Sequence, residues 1–173
     1  MKASAAKRFV LGLVIALWLG VCAPLAAPGR TPLVEKAYVD VEGSVHIVET
    51  GRGDKTVPKE KDQVGSGELG IADDKKTVGW LAEYENCCTS YAIPLKLVIY
   101  RNGKVRQRLG DGLMIYDWRF WEGGTQAAFC SGTVHGDSGG HCELHDASSG
   151  RTLDTLDGHL DDDSPKWAAG MRN

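Results

Sequence analysis

The chain has 173 residues, of which 20 are basic and 23 acidic, and a formal net charge of −3. Residues 1–27 contain three of the basic residues and no acidic residue, so the remaining 146 residues carry a net charge of about −6. This balance argues against a nucleic-acid binder, whose affinity depends on basic side chains that neutralise phosphates. A length of 146 residues suits one domain and is short for two.

Residues 1–27 are typical of a secretory signal peptide. Three basic residues precede the apolar run Phe9–Val21, and small residues follow it up to Ala27. We expect cleavage near Ala26 or Ala27 and a secreted or periplasmic mature protein. Because this run is shorter than the roughly 18–20 residues of a membrane helix, and no other run is longer, no membrane span is expected.

Cys22 offers an alternative to secretion. The stretch Leu19-Gly20-Val21-Cys22 resembles a bacterial lipobox, in which the cysteine is lipidated and becomes the N-terminus. The motif has a small residue immediately before the cysteine, and Val21 departs from it. The resemblance implies an outer-membrane lipoprotein anchored through Cys22 as the alternative location.

The mature chain is predicted to be all-β. It holds 20 glycines in 146 residues, about twice the average of roughly 7%. They separate short runs of alternating apolar residues, which predicts antiparallel hairpins. Residues 50–67 are charged and glycine-containing, and indicate a loop with one strand. The predicted strands that follow are 77–84, 95–100 with a hairpin turn at Asn102-Gly103, 114–120, 125–131 and 140–146.

Four cysteines lie beyond residue 27: Cys87, Cys88, Cys130 and Cys142. An even number in an exported domain is typical of disulfides, and four cysteines allow three pairings. Cys130 and Cys142 flank a glycine-rich loop between two predicted strands, which favours a bridge between them. Cys87 and Cys88 would then form a strained ring, and two bridges between the pairs are the alternative. Adjacent cysteines do not match the spaced cysteines of a zinc site.

The strand 114–120 carries a cluster of aromatic residues. Met114, Tyr116, Trp118 and Phe120 alternate onto one face, which is the signature of a core strand. Trp121 falls on the opposite side and is the candidate for an exposed binding residue.

Residues 136–140 read Gly-Asp-Ser-Gly-Gly, which resembles the nucleophile loop of trypsin-like serine proteases. The resemblance implies that Ser138 is a nucleophile. Such enzymes also need a base and an orienting acid, and His46 lacks the family's small-residue, cysteine-containing context. Their two barrels need more residues than this chain has. A glycine-rich hairpin loop is therefore the preferred interpretation, and a serine hydrolase using Ser138 is the alternative.

A group of histidines and acids surrounds the same loop. His135, His141 and Glu143 are the candidate metal ligands. Because the rise along a strand is about 3.3 Å per residue, His141 and His145 lie too far apart to share one ion. A polar outer face is preferred, and no cofactor is predicted.

Two pairs of segments repeat at intervals of about 46–48 residues. Residues 74–80 resemble 122–128, residues 97–104 resemble 143–151, and 45–52 resemble them more distantly. The pattern resembles the propeller blades of WD40 or TolB type found in exported bacterial proteins. It implies propeller-like blades forming a half-propeller, with a β-sandwich as the alternative. Because two and a half blades cannot close a ring, a homo-oligomer that completes one is a further expectation.

These features predict a signal peptide (1–27), a β domain (28–160) and an acidic C-terminal tail (161–173), which Trp167 would attach. No complete catalytic set is recognised, so we predict a non-enzymatic domain that binds a protein or glycan partner. The loop Tyr84–Tyr91, which carries Cys87 and Cys88, is the candidate binding element. A redox protein using the Cys87–Cys88 pair is the second alternative.

Overall fold

The structure is a computed structural model that describes residues 31–87, 90–134 and 140–172. The predicted signal peptide, Cys22, Cys88, His135 and Ser138 lie outside the described residues. Within them no helix is long and apolar enough to cross a membrane.

The described residues form an all-β fold of three antiparallel sheets, as predicted. The first sheet contains β1 (Val34–Val39), β2 (Val45–Glu49) and β3 (Gly53–Val57). The second contains β4 (Gln63–Ile71), β5 (Thr77–Tyr84), β6 (Ile93–Arg101) and β7 (Lys104–Leu109). The third contains β8 (Met114–Trp121), β9 (Gln126–Gly132), β10 (His141–Asp146) and β11 (Thr152–Asp157). In every sheet, strands adjacent in sequence are adjacent in space, and no sheet closes into a barrel. This arrangement is compatible with propeller-like blades or a β-sandwich.

The repeated segments occupy equivalent places in the second and third sheets. Residues 74–80 lead into β5 and residues 122–128 into β9, which are the second strands of their sheets. Residues 97–104 and 143–151 lie in the third strands, β6 and β10, and the turns that follow. In the first of these turns Asn102 and Gly103 both have positive φ, as a two-residue hairpin of the primed type requires.

The stretch 50–67 contains more strand than its sequence indicates. Both β3 and the first part of β4 lie in it. Four of the five β3 residues are exposed, and β4 carries glycines at 65, 67 and 70. Neither strand therefore shows the apolar alternation that reveals a half-buried strand.

Two apolar cores lie on the two faces of the second sheet. The core shared with the first sheet contains Val34, Val45, Ile47, Val57, Val78, Trp80, Ala82, Val98 and Tyr100. The core shared with the third sheet contains Leu81, Leu97, Ile99, Leu109, Ile115, Ala127, Phe129 and Ala147. Successive residues of β5 and β6 thus enter opposite cores, because side chains alternate along a strand. The predicted shared face of Val78, Trp80, Ala82 and Tyr84 is confirmed.

The predicted face of strand 114–120 is only partly correct. Trp118 and Phe120 pack against the second core, but Ile115 is buried there in place of Met114 and Tyr116. The pairing of β8 with β9 shifts register between Ile115 and Asp117, and this bulge brings Ile115 and Trp118 onto the same face.

Trp118 packs directly on a glycine of the second sheet. A Cβ atom on Gly79 would lie 2.6 Å from the Trp118 ring, so only glycine allows this approach. The indole Nε1 of Trp118 donates to the Glu68 carbonyl 2.9 Å away. One side chain therefore fixes the third sheet against the second through both shape and a hydrogen bond.

The outer face of the third sheet is covered by the C-terminal segment. Trp167, Ala168 and Met171 are buried against a third apolar cluster. Trp167 donates to Asp154 at 2.8 Å, and Arg119 donates to the carbonyl of Trp167. Trp167 thus holds residues 165–172 on the sheet.

We expect Trp167→Ala to lower the free energy of unfolding by about 3–5 kcal/mol, because it removes a buried aromatic side chain and leaves a cavity. Chemical denaturation followed by circular dichroism measures the change. Lys166→Ala is the matched control, since the neighbouring side chain is exposed. A Trp167→Ala protein as stable as the control would show that packing of this segment on the third sheet does not stabilise the fold.

Candidate functional site

A cavity of about 360 Å³ opens beside the connection between β5 and β6. It is lined by Val64 from β4 and by Glu85, Asn86, Ser90, Tyr91 and Ala92 from the connection. Tyr91 is 60% exposed and Val64 40%, which makes them two of the most exposed large apolar side chains in the described residues. The cavity therefore combines apolar surface with a carboxylate, an amide and a hydroxyl.

The sheet holds both ends of this connection in place. Tyr84 at the end of β5 pairs with Ile93 at the start of β6, and Ile93 is buried. The Tyr84 hydroxyl donates to Glu60 Oε2 at 3.0 Å, and Glu60 forms an ion pair with Arg108. Strand pairing and side-chain contacts therefore fix both ends of the connection that lines the cavity.

Glu83, next to the connection, lies across the glycines of β4. A Cβ atom on Gly65 or Gly67 would lie 2.6 Å from a carboxylate oxygen of Glu83. Burial raises the pKa of Glu83, and the nearby charge of Glu68 raises it further. The glycines of β4 therefore make room for a carboxyl group in a partly dehydrated position.

Cys87 is exposed on the candidate loop, while its predicted partner Cys88 lies outside the described residues. The other predicted bridge is present: Cys130 and Cys142 stand directly opposite each other on β9 and β10 and form a disulfide. It joins the end of β9 to the start of β10.

Trp121 does not contribute to the cavity. It is half-buried and packs against the cluster that contains Trp167, with the Arg119 guanidinium 5.6 Å from its ring. The predicted outward orientation is correct, but the C-terminal segment packs on the same face. Trp121 is therefore only partly exposed on this face.

The histidines of β10 are joined by one carboxylate. His141 Nε2 lies 3.4 Å from Glu143 and His145 Nε2 lies 2.8 Å from it. His141 Nδ1 also contacts Asp157 on β11 at 2.5 Å. His145 is buried and stacks on Phe129, so it is not on a solvated outer face. Within ranges 31–87, 90–134 and 140–172, no group of three or more His, Cys, Asp or Glu is arranged to hold a metal.

The first sheet carries a polar network that sequence reasoning missed. His46 Nε2 lies 3.0 Å from Asp40, and its Nδ1 lies 3.2 Å from Asp54. Tyr38 stacks on the imidazole at 4.8 Å and donates to Asp54 at 2.7 Å. These residues come from β1, the following turn, β2 and β3, so only the strand register brings them together. We call Tyr38, Asp40, His46 and Asp54 the His46 network.

Comparison with protein-family models and with curated proteins finds no match to this chain.

His141 lies beside two carboxylates, those of Asp157 and Glu143, which should affect its titration. The hydrogen bond to Asp157 is the main cause that raises the pKa of His141, and the charge of Glu143 adds to it. We expect the His141 ring protons to titrate above the ordinary value of 6.5 in an NMR experiment, and the midpoint to fall in Asp157→Asn. An unchanged midpoint in that variant would contradict the assigned cause.

Proposed function

We propose that the protein is an exported, non-enzymatic β domain that binds a protein or glycan partner in the cell envelope or outside the cell. The observation that carries this proposal is the cavity beside the β5–β6 connection, with exposed Tyr91 at its edge. Binding sites are commonly concave, partly apolar and lined by a few polar groups that set orientation. They are often formed by loops on a rigid scaffold.

The lining residues have the chemistry of a recognition site. The Tyr91 ring offers a flat apolar surface of the kind that packs on a sugar ring or a partner side chain. Glu85 supplies a hydrogen-bond acceptor, while the Asn86 amide and Ser90 hydroxyl both donate and accept. This combination suits a ligand that presents hydroxyl or amide groups beside an apolar face.

Export is supported by two independent features. Residues 1–27 have the composition of a signal peptide. The Cys130–Cys142 disulfide is of a kind that persists in oxidising compartments.

The consecutive meander sheets also support a proposed relationship to propeller-blade proteins of WD40 or TolB type.

The binding proposal predicts that Tyr91→Ala and Glu85→Gln each weaken binding to a ligand by about tenfold or more, because hot-spot residues contribute about 2 kcal/mol or more. Ligands come from a glycan array and a display library of folded domains, and affinities are measured by calorimetry. Leu33→Ala is the matched control, since Leu33 is 45% exposed and does not line the cavity. Binding that Tyr91→Ala and Glu85→Gln leave at wild-type strength would place the site elsewhere.

A further inference from the structure

Both ring nitrogens of His46 face carboxylates. Asp40 lies on the Nε2 side and Asp54 on the Nδ1 side. A neutral imidazole has one N–H and one lone pair, whereas the imidazolium donates from both nitrogens. Only the protonated ring can therefore donate to both carboxylates at once. Loss of its proton turns one of the two contacts into a repulsion between a lone pair and a carboxylate.

Asp40 also closes the turn between β1 and β2. Its side chain accepts from the Ser44 amide at 2.8 Å, and its own amide donates to the Ser44 carbonyl at 3.0 Å. The amide of Gly43 donates to the Asp40 carbonyl at 3.0 Å. The same carboxylate thus contacts His46 and sets the shape of residues 40–44.

This turn supports one wall of the cavity. Gly43 lies so close to β4 that a Cβ atom on it would be 3.0 Å from the Gly65 Cα. The Lys59 ammonium donates both to the Glu42 carbonyl in the turn and to the Val64 carbonyl in β4, the latter at 3.2 Å. Val64 lines the cavity. A continuous path of contacts therefore connects His46 to the Val64 wall through Asp40 and the turn.

We propose that protonation of His46 regulates the cavity: the imidazolium holds the β1–β2 turn against β4, and its deprotonation loosens the Val64 wall and weakens ligand binding. The part concerning ligand affinity rests on the proposed function. This regulation needs no large movement, since Lys59 already links the turn to Val64.

The charges around His46 give the direction of the pH effect. Asp40 and Asp54 face it from the turn and from β3, Tyr38 stacks on it from β1, and the Thr56 hydroxyl lies 3.5 Å from Nδ1. Lys36 lies 4.5 Å from the Tyr38 ring and is a nearby cation.

The hydrogen bond to Asp40 is the main cause that raises the pKa of His46 above 6.5. Hydrogen bonds lower the pKa of both aspartates, that of Asp40 through Ser44 and that of Asp54 through Tyr38. The contacts of the imidazolium with Asp40 and Asp54 are therefore complete below pH 6.5, down to the range where the aspartates become protonated. They are lost as the pH rises through the elevated pKa of His46.

An NMR titration of the full mature protein tests the coupling without a ligand. We expect the amide signals of Val64 and Gly65 to titrate with the midpoint of the His46 ring protons. In His46→Gln this transition disappears, while the matched control His159→Gln, which changes an exposed histidine, retains it. A Val64 signal that does not titrate in the wild type, or that titrates unchanged in His46→Gln, would overturn the proposal.

Asp54→Asn provides a second test that does not depend on folding of the histidine variant and leaves the contacts of Asp40 in place. Removing this acceptor lowers the His46 midpoint, and the Val64 midpoint should fall with it. A Val64 midpoint that stays in place while that of His46 falls contradicts the coupling.

Affinity measurements at two pH values separate regulation by His46 from the proposed function. For a glycan or protein ligand that depends on Tyr91, we expect affinity about fivefold or more weaker at about pH 8.5 than at about pH 6, and no such change in His46→Gln. Ligand binding that depends on Tyr91 but not on pH contradicts regulation by His46 alone. Failure to find any Tyr91-dependent ligand contradicts the proposed function, while the NMR titration still decides the coupling.

Discussion

The structure depends on burial of the second sheet on both faces. Alternate residues of β5 and β6 enter two different cores, so the first and third sheets are both fixed to the same four strands. The outer face of the first sheet carries the polar His46 network, and the C-terminal segment covers the outer face of the third. A second copy that completed a ring beside the third sheet would have to displace Trp167 and its neighbours.

Local signals in the sequence predicted much of this fold. The alternation in residues 77–84 and the Asn102-Gly103 turn correspond to β5 and to the hairpin between β6 and β7. The Cys130–Cys142 bridge followed from two cysteines flanking one hairpin loop. Two strands between residues 53 and 71 were less visible, because β3 is exposed and charged and β4 is rich in glycine. The bulge after Ile115 leaves no mark in the alternation and was found only from the register.

The candidate site was predictable only in part. A long connection between two strands identified the loop after Tyr84, but the cavity also needs Val64, which is about twenty residues earlier in the chain. The His46 network joins residues from three strands and a turn, and none of them forms a sequence motif. Both features depend on the register between neighbouring strands and on the turns that join them. Hydrophobic alternation within one strand shows which face is buried, but it does not fix which residues of the next strand lie opposite.

Site-specific photo-crosslinking from the cavity tests most directly whether the cavity is the binding site. A photoreactive residue replaces Ser90, which lines the cavity, or Lys104, an exposed residue at the start of β7 that does not. We expect crosslinks to a discrete partner from position 90 and none from position 104. An excess of unmodified protein should suppress them, whereas an excess of the Tyr91→Ala protein should not. Equal crosslinking from both positions, or equal competition by the two proteins, would contradict the assignment of this cavity as the binding site.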